Sequence, residues 1–76
     1  MRITLSKQAI KSLTRLDVTT KQRIKQAIRS IPQGDIKPLK GASGTYRLRV
    51  GNWRILFSYL VDEVYIRHIA PRGGVY

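Results

Sequence analysis

A chain of 76 residues is expected to form a single domain, residues 1–76, with a small core, because a domain of this size buries only about 60% of the surface its unfolded chain exposes. The sequence contains 15 Lys and Arg against 4 Asp and Glu, a formal net charge of +11, with no Cys and one His. Disulfides and thiolate metal sites are thereby excluded, and the charge is the electrostatic footprint of a partner of nucleic acid or of an acidic protein. No apolar run approaches the roughly 20 residues that span a bilayer, and the opening Met-Arg-Ile-Thr-Leu-Ser does not read as a signal peptide. A protein of the reducing cytoplasm, with no membrane partner, is the expectation.

Arg2 to Leu5 alternates as a short strand, with Ile3 and Leu5 inward. Ser6 is a candidate N-cap for a first helix whose Ala9, Ile10, Leu13 and Leu16 recur at helical spacing. Asp17-Val18 reads as the break, and Thr19 with Gln22 three residues on matches a capping box opening a second helix. Ile24, Ala27, Ile28 and Ile31 form its stripe, with Lys21, Lys25 and Arg29 off it, and Pro32 and Gly34 end it. Residues 33–44, with Pro38, Gly41, Ser43 and Gly44, read as a loop. Then come Thr45 to Val50, Trp53 to Val61 and Val64 to Ala70, strands of strong propensity joined at Gly51-Asn52 and Asp62-Glu63. The fold expected is α+β: an N-terminal strand, a two-helix hairpin, then a three-stranded antiparallel meander forming one sheet with both helices on one face.

Strand alternation places Arg47 and Arg49 on one face and Tyr46, Leu48 and Val50 on the other. If Gly51-Asn52 closes a two-residue hairpin, Arg54 joins the first set, and Trp53, Ile55, Phe57, Tyr59 and Val61 join the second. Like charges held together are unfavourable unless an anion sits among them, so an anion-binding face follows. Lys37 and Lys40 extend the positive surface.

With one histidine and few carboxylates, all placed at turns or caps, a metal-dependent hydrolase is not expected, nor is any cofactor. His68 shares a predicted strand face with Val64 and Ile66 and is expected to be packed. What remains is arginine and tyrosine. Cleavage of RNA by its own 2'-hydroxyl needs charge stabilisation at phosphorus, which arginine forks provide, and proton transfer, for which Arg is too strongly protonated. Tyr76, near Arg72, is the candidate for that step.

The run Pro-Leu-Lys-Gly at 38–41, Tyr-Arg-Leu-Arg-Val-Gly-Asn-Trp-Arg-Ile-Leu-Phe at 46–57 and Ile-Ala-Pro-Arg-Gly-Gly-Val-Tyr at 69–76 resembles the RelE/ParE superfamily of toxin-antitoxin toxins. The resemblance covers nearly the whole chain. It implies a toxin that cleaves mRNA in the ribosomal A site without metal and is held inactive by an acidic antitoxin protein. It also implies roles: Arg47 and Arg49, with Lys40, bind substrate, Arg54 contacts the transition-state phosphate, Arg72 the leaving group or phosphate, and Tyr76 stacks on RNA or helps activate the 2'-hydroxyl. Strongly cleaving members often carry lysine where this chain has Arg47 and Arg49, which implies that these two only stabilise charge. A gyrase-poisoning toxin of the ParE branch and a plain basic nucleic-acid-binding module are the alternatives. That branch generally lacks the complete Arg and Tyr set.

Overall fold

The structure, a computed structural model, describes residues 2–41 and 44–71. Seven elements follow one another: β1 (Arg2–Leu5), α1 (Lys7–Thr14), α2 (Val18–Arg29), β2 (Asp35–Pro38), β3 (Thr45–Val50), β4 (Trp53–Leu60) and β5 (Glu63–Pro71). They build one five-stranded sheet in the order β1-β5-β4-β3-β2. The meander β3-β4-β5 is antiparallel, and β1 closes one edge parallel to β5, the helical pair carrying the chain from β1 to β2 at the opposite edge. The α+β class holds, with two more strands in the sheet than the meander alone supplies.

Both helices pack on one face. Ala9, Leu13, Ile24 and Ile28 from the helices meet Leu48, Ile55, Phe57, Val64, Ile66 and Ile69 from the sheet. Tyr46, Phe57 and Tyr59 cluster at one end of this face, ring centroids 5.3 to 5.7 Å apart, Tyr46 stacked on Phe57 and Tyr59 edge-on to both. Ile10, counted in the predicted stripe, is instead 51% exposed and lies outside the core.

Two local readings are corrected. The second helix is capped by Asp17, whose carboxylate accepts from the backbone N–H of Thr20 at 3.1 Å, rather than by Thr19 with Gln22. Asp accepts as well as Thr does at this position, and its use starts the helix two residues earlier. Part of the predicted loop is a strand: Asp35 to Pro38 pairs with Arg49 to Tyr46. Pro38 is tolerated because β2 is an edge strand.

The Asp17 cap carries a pH signature. The Thr20 hydroxyl, then the Thr20 backbone N–H, hold this exposed carboxyl below its usual 3.8. A depressed folded-state pKa contributes stability that is complete above the usual value and lost as pH falls through the folded one. Urea midpoints of the wild type should therefore fall below pH 4 by more than those of Asp17→Asn, which keeps a cap without the charge.

The meander departs from alternation at one place. Phe57 pairs with Ile66 but Leu56 pairs with His68, so Arg67 is an extra residue in β5. This bulge sends His68 to the face away from the helices and Ile69 into the core, with Ile69 0% exposed. His68 is therefore not packed beside Val64 and Ile66, as simple alternation predicts. β1 stops opposite Ile66, leaving the next stretch of the β5 edge for α1 to cover. Ser6 Oγ donates to Arg67 O at 2.8 Å and Ser12 Oγ to Ile69 O at 2.9 Å. The Gln8 amide donates to Ile69 O at 3.2 Å and accepts from Ile69 N at 3.1 Å, standing in for a strand.

Candidate nucleic-acid interface

The face away from the helices carries the charge. Register places Arg49 directly opposite Arg54 across β3 and β4, Arg47 opposite Leu56, and Leu56 opposite His68. Lys37 on β2 lies beside Arg47, and Asp35 beside Arg49. Directly opposed side chains have Cβ atoms about 5 Å apart, and two like charges kept that close at an effective dielectric of 20 repel by about 3 kcal/mol. A phosphate between them turns that repulsion into attraction.

Arg47 is the anchor of the face. It is only 9% exposed, and its one ion pair among the described residues is Asp35 at 3.9 Å. Nη1 is buried with no hydrogen-bond partner among those residues. Buried donors are normally satisfied, so an orphan one on a buried guanidinium beside an open surface marks a place for an anionic acceptor. Arg49 is exposed and Arg54 half-buried, giving a cationic strip that grades from the sheet floor to solvent.

The predicted set is brought together in part. Arg47, Arg49 and Arg54 share the face. Arg72 and Tyr76 lie outside the described residues. The last described residue, Pro71, pairs with Trp53, and Ala70 pairs with Arg54, so the described chain ends at the arginine end of the sheet. Lys40 is exposed in the turn after β2, beyond the Pro38–Tyr46 pair. It therefore stands at the end of the sheet away from Gly51, about five residue rows, or roughly 17 Å, from Arg49.

Reasoning from the strands missed one residue and the setting of another. Lys37, expected on the positive surface, stands on β2 rather than in a loop. His68 was hidden by the bulge, for which the spacing of Ile66 and Ile69, three apart in a strand with both apolar, is the sequence signal. Arg67, the bulged residue, turns to this face as well, donating to Ser58 Oγ at 3.4 Å and lying 5.9 Å from the Tyr65 ring centre. No three His, Asp or Glu gather as metal ligands among the described residues, and no helix among them is long and apolar enough to cross a membrane.

Two helices that cover only the reverse of the sheet leave a basic face open, and together they define a small α+β protein with a cationic sheet surface. The sequence profile of the ParE toxin of type II toxin-antitoxin systems, parDE, matches residues 3–76, and the chain belongs to this family, within the RelE/ParE superfamily. Toxin RelE3 of Methanocaldococcus jannaschii is 30% identical, over 100% of this chain and 96% of its own. Two solved structures share the fold at a TM-score of 0.76. One is the RelB-RelE antitoxin-toxin complex of Methanococcus jannaschii, 28% identical over 90% of this chain and 88% of that one. The other is the archaeal RelE-RelB complex of Pyrococcus horikoshii OT3, 25% identical over 97% of each chain. The protein is a RelE-type toxin of a toxin-antitoxin system.

Proposed function

We propose that this toxin inhibits translation in the cytoplasm by cutting mRNA in the ribosomal A site, through attack of an RNA 2'-hydroxyl on its neighbouring phosphate. The attack forms a 2',3'-cyclic phosphate and releases the 5' oxygen, which leaves with a proton. The observation that carries this reading is the buried Arg47 with its orphan Nη1, in line with the opposed pair Arg49 and Arg54 on an uncovered sheet.

Arg47 and Arg49 bind the RNA backbone, and Arg54 takes the charge that develops on the phosphate oxygens. Arg72 contacts the phosphate or the departing oxygen, and Tyr76 stacks on the substrate or helps activate the 2'-hydroxyl, as in the family resemblance. His68, delivered to the same face by the bulge, adds an imidazole, whose ring can accept as well as donate a proton, which the arginines cannot do. No step calls on a metal or cofactor. Purified protein added to a translation reaction should produce cuts in ribosome-bound mRNA, lost in Arg54→Ala and in Tyr76→Phe. Intact mRNA under full arrest refutes the reading.

An acidic antitoxin is the proposed regulator, supported by the antitoxin-bound state of both solved relatives and by the +11 charge. Asp35 already occupies part of the role of an acidic partner by sitting against Arg47. Asp35→Ala should therefore cost about 1 kcal/mol of stability, because the guanidinium loses its counter-charge. The same change should tighten RNA binding. A filter-binding titration alongside urea denaturation checks the opposed signs.

The family name favours a second reading, a toxin that poisons DNA gyrase without touching RNA. A DNA-damage response on expression, with undamaged mRNA, selects it.

A further inference from the structure

Behind the arginine face, on the helical side, a cleft of about 230 Å³ lies between the first turns of α2 and the β3–β4 turn. Thr20 and Arg23 form one wall, Gly51, Asn52 and Trp53 the other, and Val50 the floor. The turn itself is tight. Gly51 has φ +58 and Asn52 a negative φ, the sign pattern of a type II′ turn, and this keeps the backbone low beside α2. A Cβ on Gly51 would lie 3.5 Å from Arg23 Nη2, so the guanidinium rests against bare backbone. Arg23 is exposed and has no ion pair or hydrogen bond among the described residues. A second hollow along α2 shares Arg23 and Val50 with the cleft and adds Gln26 and Arg29.

We propose that this cleft is a nucleotide subsite: Arg23 holds a phosphate, the half-buried Trp53 ring offers a stacking surface, and Asn52 reads a base edge. The inference rests on the RNA reading above and extends it. Trp53 and Arg54 are consecutive in one strand and point to opposite faces. A single strand lying on Arg49 and Arg54 can thus pass over the hairpin tip and place its next nucleotides in the cleft. A cationic fork beside an indole is the pairing that single-stranded nucleic acid uses, with backbone held by charge and bases by stacking. An acidic peptide would need the fork but not the ring.

Trp53 is the only tryptophan in the chain, so its emission reports the cleft directly. The full-length toxin is titrated with an RNA octamer carrying 2'-O-methyl groups throughout, which cannot be cleaved by 2'-attack. Expected are quenching of Trp53 at saturation, an affinity loss of about tenfold in Arg23→Ala, and a fall of about 0.7 in the slope of log affinity against log salt for that variant. Lys11→Ala, an equal loss of charge on α1, should change the slope by the same amount only if binding is diffuse. Arg23 is exposed, so the variant should fold, and Arg23→Gln repeats the test with the side chain's length largely kept. Unchanged Trp53 emission with the octamer bound overturns the proposal, as does equal weakening by Arg23→Ala and Lys11→Ala. Equal quenching by inorganic phosphate reduces the cleft to an anion site and overturns the stacking role. Quenching by an acidic peptide but not by the octamer assigns the cleft to a protein and also overturns it. A toxin that cuts mRNA but shows no quenching loses only the cleft, and one that quenches without cutting loses only the catalytic reading.

Discussion

Arg54→Ala should lower the single-turnover rate of mRNA cutting on the ribosome by about 10²- to 10³-fold, the loss seen when one preorganised charge-stabilising donor is removed. The position justifies so large an effect. Arg54 is on the central strand of the sheet, opposite Arg49 and beside the Ala70 end of β5, so its guanidinium is carried by a hydrogen-bonded strand rather than by a loop. It costs little reorganisation when charge develops. Arg54→Lys should recover only a small part of the rate, because a point charge cannot engage two phosphate oxygens as a planar fork does. Binding of the uncleavable octamer should fall far less than the rate does. If rate and affinity fall together by the same factor, Arg54 is a binding residue and transition-state stabilisation lies elsewhere.

His68→Gln should slow cutting by about 10²-fold, the lower end for loss of a positioned acid or base, and should leave octamer binding in place. Glutamine keeps a hydrogen-bonding group of similar reach but cannot exchange a proton at neutral pH. The rate–pH profile then identifies the role. Loss of a rising limb marks a base at the 2'-hydroxyl, and loss of a falling limb marks an acid at the departing oxygen. An unchanged profile removes His68 from the chemistry and leaves Tyr76 as the proton-transfer group. The prediction depends on the bulge. Without Arg67 inserted between the Ile66 and His68 pairs, β5 would have no register shift against β4, and the edge contacts of Ser6 and Gln8 hold that stretch of backbone in place.

Much of this protein was legible from residue order. Alternation in Tyr46-Arg47-Leu48-Arg49-Val50 and the turn at Gly51-Asn52 placed Arg47, Arg49 and Arg54 on one face, because in a regular hairpin the face of a side chain is decided by counting in twos. The helical stripes placed Ala9, Leu13, Ile24 and Ile28 inward for a similar local reason, and the run from Tyr46 to Phe57 carried the family resemblance. What residue order left open depended on contacts between distant segments. The strand Asp35–Pro38 has weak propensity of its own and forms because β3 offers it a hydrogen-bonding edge. The side of His68 is decided by a bulge, and a bulge is a compromise between two strands that neither strand shows alone. The burial of Arg47 beside Asp35 and the approach of Arg23 to Gly51 likewise exist only after β2 and α2 dock. Periodic, short-range facts are written in the chain, whereas the environment of a charge is set by whatever the fold brings beside it.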